Sequence, residues 1–138
     1  MRAWLVDTGP LVAYLDARER EHARIAARLD AFRGRLVTSS AVITEAMYFL
    51  AGSTNGPGLL ASFVAASGLE VYDVCQPADL EDAAALIAKY ADTPMDFADA
   101  TLLLLAEHVP IGDIVTLDRR GFSAYRTRKG KSLRLVLG

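Results

Sequence analysis

Five short apolar runs, each separated from the next by a segment of helical periodicity, decide most of what this chain can fold into. They lie at residues 3–6, 36–38, 69–74, 114–117 and 133–137. Several are continuous rather than alternating, so both faces of those strands need cover, and strands separated by helices pair in parallel through crossovers. The expectation is an α/β fold of three layers, a parallel five-stranded sheet with helices on both faces. Its 138 residues, 52% of them hydrophobic, suit a single domain spanning 1–138 with a real core.

The helical segments follow the same logic. Asp7-Thr8-Gly9-Pro10 reads as a turn, with Pro10 opening a helix through Leu15. The charged stretch 18–33 carries an inward stripe of His22, Ile25, Ala26, Leu29 and Phe32, and Gly34 closes it. Ser39 or Ser40 caps a helix over 41–50, and a small apolar helix covers 59–66. Pro77 opens a helix with Leu80, Ala83, Ala84, Ile87 and Tyr90 inward. Asp96, just after Pro94, caps a helix running to His108. The last apolar runs end in Asp118-Arg119-Arg120-Gly121, a turn, and at the C-terminal strand.

No apolar run approaches membrane-spanning length, and the first residues turn charged too soon for a signal peptide. A single cysteine, Cys75, excludes an internal disulfide and a cysteine-rich zinc site; its place at the end of an apolar run predicts a buried or half-buried thiol. A cytoplasmic protein is expected. The net charge of −2 hides an acidic body and a basic end: residues 118–138 carry Arg119, Arg120, Arg126, Arg128, Lys129, Lys131 and Arg134 against Asp118 alone.

In parallel sheets of this kind, ligands bind beyond the carboxyl ends of the strands. Asp7 follows the first strand and Asp118 the fourth. A helix leading into a parallel strand runs antiparallel to it, which brings the start of the 96–108 helix, and so Asp99, to the same edge. Asp99 has apolar neighbours and no basic residue within helical reach. Glu45 does not sit at the capping-box position for Ser39 or Ser40, and its helical neighbours Ala41, Val42, Tyr48 and Phe49 offer no cation. A carboxylate on an apolar face without a partner shifts its pKa or binds a cation. Asp96 divides evenly between a helix cap and a fifth ligand.

Oxygen donors without cysteine or paired histidine suit Mg²⁺ or Mn²⁺ over Zn²⁺, and such ions serve phosphoryl chemistry. Thr8, Ser40 and Thr116 stand beside the acids and can orient a ligand or serve as turn and cap residues. Arg119 and Arg120 are candidates to hold a phosphate, with solvent exposure the equal alternative. Other chemistries lack parts. Asp7-Thr8-Gly9 matches the short aspartic-protease motif, but that needs a β-rich dimer. A phospho-receiver needs a lysine at a late strand end, and Lys89 lies mid-helix. No phosphate loop of P-loop or Rossmann spacing is present.

Val6-Asp7-Thr8-Gly9-Pro10-Leu11-Val12-Ala13, Ser39-Ser40 through Glu45, Asp96-Phe97-Ala98-Asp99-Ala100 and Val115-Thr116-Leu117-Asp118-Arg119-Arg120-Gly121-Phe122 together resemble the PIN-domain family. Each motif is weak alone; four in order over nearly the whole chain are specific. The length is similar to that of VapC-type toxin ribonucleases. The resemblance implies strand order 3-2-1-4-5 and an endoribonuclease dependent on Mg²⁺ or Mn²⁺. It matches Asp7, Glu45, Asp99 and Asp118 to the family's acidic quartet and Thr116 to the hydroxyl residue before the last acid, with Asp96 a further acid that only some members have. It also implies a homodimer and a small antitoxin protein that blocks the site from the RNA substrate, with the basic tail as a track for RNA. Two alternatives stay open: a PIN nuclease of RNA processing or acting on DNA, and a non-catalytic binding module on the same fold.

Overall fold

The computed structural model describes all 138 residues, Met1–Gly138. Strands β1 (Ala3–Val6), β2 (Arg35–Ser39), β3 (Glu70–Tyr72), β4 (Asp113–Val115) and β5 (Arg134–Leu135) form one sheet in the order β3-β2-β1-β4-β5. All four pairings are parallel, with Leu5 opposite both Val37 and Ile114. Seven helices surround it: α1 (Thr8–Leu15), α2 (His22–Ala31), α3 (Ser40–Leu50), α4 (Gly56–Ser67), α5 (Pro77–Lys89), α6 (Phe97–His108) and α7 (Arg119–Ala124). This is the α/β architecture and strand order expected from the sequence. No helix is long and apolar enough to cross a membrane.

Helix α6 is the centre of the packing. Leu102, Leu103 and Leu104 are fully buried and Leu105 nearly so, as a helix that is apolar all round must be. They belong to a cluster of 26 buried residues that also holds Leu5, Val37 and Ile114 of the sheet. Replacing any one of these leucines by alanine costs about 2–5 kcal/mol. A separate cluster of six, Trp4, Ala13, Ile25, Leu29, Val115 and Val136, packs α2 down, and Trp4 stacks on Phe32 at 3.7 Å between ring centroids.

Several expectations shift. The Asp7–Pro10 turn is instead the start of α1: Asp7 is its N-cap, and its carboxylate accepts from the Thr8 amide. Ser39 rather than Ser40 caps α3, accepting from the Val42 amide. Residues 18–21 do not join α2; Asp16 holds Arg18 through backbone and guanidinium, which ties them into a turn. In α5 the buried stripe is Ala83 and Leu86 with Ile87 and Tyr90 half-buried; Leu80 is 45% exposed and Ala84 faces out. An alanine-rich helix offers two apolar frames, and the packing chose the later one. Cys75 is exposed, not buried, because it lies in the connection after β3 rather than within the strand.

Candidate functional site

The strand ends deliver the first carboxylate. Asp7 directly follows β1 and is only 8% exposed. Its Oδ1 accepts from the Thr8 amide at 2.8 Å and its Oδ2 from the Thr116 hydroxyl, on the chain leaving β4, at 2.7 Å. Thr116 Oγ1 in turn accepts from the Asp118 amide at 3.0 Å. One threonine therefore sets the relative placement of two acids from two strands.

Asp118 caps α7, a six-residue helix that the sequence reading missed, by accepting from the Gly121 amide at 3.0 Å. A Cβ at Gly121 would run into the Asp118 carboxylate, so glycine is required for the acid to fold over the helix start. The signal for α7 was present: an aspartate cap followed by Phe122 and Tyr125 three residues apart, both buried.

Asp96 and Asp99 form a reciprocal capping box at the start of α6. Asp96 Oδ1 accepts from the Asp99 amide at 2.8 Å and Asp99 Oδ2 from the Asp96 amide at 3.1 Å. Asp99, for which the sequence offered no ion-pair partner on the helix, is thus tied to the helix start by Asp96. Glu45, one and a half turns into α3, accepts from the Thr8 hydroxyl at 2.6 Å.

These five acids line a single cavity of about 780 Å³, together with Thr8, Arg18, Arg20 and Phe49. None of the five makes an ion pair. Of the two arginines on the lining, Arg18 is committed to Asp16, whose carboxyl it holds down at about 2, and Arg20 makes no ion pair. The consequence appears in proton affinity. Burial pushes Asp7 up to about 6 against the pull of its hydrogen bonds with Thr116 and Thr8. Burial, followed by the repulsion of Asp7, pushes Asp99 up to about 8. Glu45 is raised as well, first by burial. Tyr125, buried and hydrogen-bonded to the Pro94 carbonyl at 2.8 Å, is pushed up to about 12 by burial and then by the fields of Asp99, Asp118, Asp96 and Asp7. Asp7, Asp99 and Glu45 are thus raised first by burial, with no ion pair to offset it.

The residues fit a hard divalent cation by donor chemistry. All the donors are oxygens, and Glu45 Oε2, Asp96 Oδ2, Asp99 Oδ1 and Asp118 Oδ2 accept from no amide or hydroxyl of the protein. No three of the acids close into a finished metal cage; each has its other oxygen tied to a helix start or a threonine.

Some expectations are not gathered here. Arg119 and Arg120 are exposed on the first turn of α7 and do not line the acidic cavity; Arg120 borders a smaller one that it shares with Asp118, Thr93, Pro94 and Tyr125. Ser40 also lies outside it, bonded to Asp73 at 3.3 Å. The basic tail is partly spent: Arg128 pairs with Asp82 and Glu107, and Arg134 with Asp113. Arg18 and Arg20, on the turn before α2, are the cavity's arginines, and sequence reading passed over them because only the packing of α1 against α2 brings that turn to the acids.

With this geometry, comparison with known proteins is informative. A family model described as PIN domain matches residues 4–127. Ribonuclease VapC26 of Mycobacterium tuberculosis is 36% identical over 124 residues, covering 88% of this chain and 91% of the relative. The fold is similar to the crystal structure of Mycobacterium tuberculosis VapC20, a sarcin-ricin loop cleaving toxin, with a TM-score of 0.76 and 21% identity over 87% of this chain and 93% of that one. It is also similar to VapBC2 from Rickettsia felis bound to a promoter DNA fragment, with a TM-score of 0.65 and 17% identity over 96% of each chain. The chain belongs to the PIN domain family and is of the VapC type.

Proposed function

We propose that the chain is an endoribonuclease dependent on Mg²⁺ or Mn²⁺, the toxin of a toxin–antitoxin pair, with Asp7, Glu45, Asp99 and Asp118 as the acids of the site and Asp96 as a fifth. The observation that carries this reading is the meeting of five acids from four places in the fold, Asp96 and Asp99 sharing the start of α6, around one cavity without an ion pair among them. The names of the relatives support it: one is a ribonuclease, another a sarcin-ricin loop cleaving toxin, and a third a toxin-antitoxin complex. A small antitoxin partner, a homodimer and a cytoplasmic location belong to the same proposal.

When bound, the ion supplies Lewis-acid stabilisation of charge on the scissile phosphate and lowers the pKa of water. The rest is done by the chain. Thr116 and the Thr8 amide fix the Asp7 carboxylate by two hydrogen bonds, so its orientation survives loading and unloading. The Thr8 hydroxyl fixes Glu45, and the Gly121 amide fixes Asp118. Asp99, raised to about 8 by burial and then by Asp7, would carry a proton near neutral pH and would give it up in holding the ion. The ionised acids would repel phosphate, and a cation held by them would offset that repulsion.

The test is cleavage of a mixed-sequence RNA pool with and without Mn²⁺. Metal-dependent endonucleolytic cuts are expected from the wild type and not from Asp7→Asn or Asp99→Asn; full activity in both variants sinks the proposal.

A further inference from the structure

A second cavity, of about 630 Å³, opens beside the acidic one. Its walls are α3, the connection from β3 to α5, and the first turns of α6. Glu45 and Asp96 line both cavities. Tyr48 stands at the edge of the second, 77% exposed, in T-shaped contact with Phe49, whose own side chain lines the first. The two aromatic residues of α3 thus form a ridge between the cavities.

The two sides of the ridge differ in chemistry. The acidic cavity has two arginines on its lining; the second has no lysine, arginine or histidine. Its lining is mostly apolar, with Ala41, Val74 and Phe97 among it and the hydroxyls of Ser40 and Thr44 at one wall. Its only charges are the two shared carboxylates. A phosphate gains nothing in such a place. The uncharged part of a nucleic-acid strand is the base, and bases of single-stranded RNA stack on aromatic side chains and bond through their edges to hydroxyls and carboxylates.

We infer that the second cavity is a nucleobase subsite, in which Tyr48 stacks on the base of a nucleotide adjoining the phosphate at the acidic cluster. This rests on the ribonuclease reading for the identity of the strand. Tyr48 acts as a specificity residue: it selects where along an RNA the chain cuts, by requiring an unpaired base at one fixed distance from the scissile bond. The volume lies within the range of roughly 300–1,000 Å³ usual for small-molecule sites, so the pocket takes one base and its ribose rather than a folded segment.

The experiment is an abasic scan. Fluorescein-labelled 2′-O-methyl hexanucleotides, with the base removed at each position in turn, are titrated by anisotropy in Ca²⁺ against the wild type, Tyr48→Ala and Tyr48→Trp. The wild type is expected to show one position where base removal weakens binding at least about fivefold. Tyr48→Ala loses that dependence, and Tyr48→Trp keeps it. A flat scan in the wild type, or a dependence that survives in Tyr48→Ala, overturns the inference. So does a Tyr48→Ala chain whose scan is unchanged but whose sedimentation shows a dimer turned monomer, since the ridge is then a surface between copies. Cleavage of the matching RNA hexamers in Mn²⁺ separates the two readings. A flat scan with cleavage removes the base subsite alone; a base-dependent scan without cleavage removes the nuclease and keeps the subsite.

Discussion

At the amino edge of the sheet, acids are stitched to arginines; at the carboxyl edge the five acids of the cavity stand outside any ion pair, although Arg18 and Arg20 line it with them. Glu70, opening β3, receives Arg35 of β2 through both oxygens at 2.7 and 2.8 Å. Asp113, opening β4, receives Arg134 of β5 at 2.9 and 3.0 Å and Arg2 at 3.4 Å. Both carboxyls are held below their ordinary range, first by these hydrogen bonds. Across the same sheet, Asp7 and Asp99 stand at about 6 and 8. The residue types are the same and the fold is the same, so the difference is one of burial first and of partners second. An edge that only needs stability pairs its acids. An edge that needs a cation from solvent leaves these acids out of ion pairs, its Arg18 being held by Asp16, and uses threonines and backbone amides to hold them in place.

The largest break in this comparison comes from removing one acid at each edge. Asp99→Asn is expected to lower RNA cleavage by more than about 100-fold, because loss of groups that merely support a metal ligand already costs about 10–100-fold. Glu70→Gln keeps the wild-type rate, with a modest, salt-sensitive loss of thermal stability. Initial cleavage rates and melting curves of the two variants check both halves.

Next is Thr116→Val, which keeps the shape and removes the hydroxyl shared by Asp7 and the Asp118 amide. Activity should fall about 10–100-fold, and stability by about 1–2 kcal/mol for the lost buried hydrogen bonds. Gly121→Ala belongs beside it: the added methyl displaces the Asp118 carboxylate, so cleavage falls while Mn²⁺ at high concentration restores part of it.

The stability profile sharpens the contrast further. The folded-state pKa values of Asp7 and Asp99 lie above their unfolded values. Their contribution is therefore fully present below about pH 4 and lost as the pH rises through about 6 and about 8. In EDTA the protein should melt lower at pH 8.5 than at pH 5.5, a window in which the paired acids stay ionised. Asp7→Asn should flatten the curve and stabilise the metal-free protein at pH 8.5 by up to ~3 kcal/mol, since about two pKa units correspond to that much at a buried site. Thermal unfolding of both proteins across the window, with and without Mn²⁺, reads this directly.

The sheet and four of the acids were legible because they rest on patterns local to the sequence: apolar runs, strand-end aspartates, and a glutamate with no helical neighbour to pair. The capping box at α6 was equally local, three residues from cap to partner, but an aspartate at the third position looked unpaired when only side-chain cations were counted. Helix α7 was hidden because Asp118-Arg119-Arg120-Gly121 also spells a turn, and only the burial of Phe122 and Tyr125 decides for a helix. The tail's charge misled for a different reason. Arg128 and Arg134 find acids on α5, α6 and β4, partners separated by tens of residues. The same holds for Arg18 and Arg20, which reach the acidic cavity through the packing of helices and carry no sign of it in their spacing.

The central claim is that the carboxyl edge holds protons where it is built to hold a cation. Calorimetric titration of Mn²⁺ at pH 7, in buffers of different ionisation enthalpy, measures it. Binding should release protons, drawn mainly from Asp99, and the release should shrink at pH 9 and in Asp99→Asn. Binding with no proton release at pH 7, or no binding at all, would contradict the account.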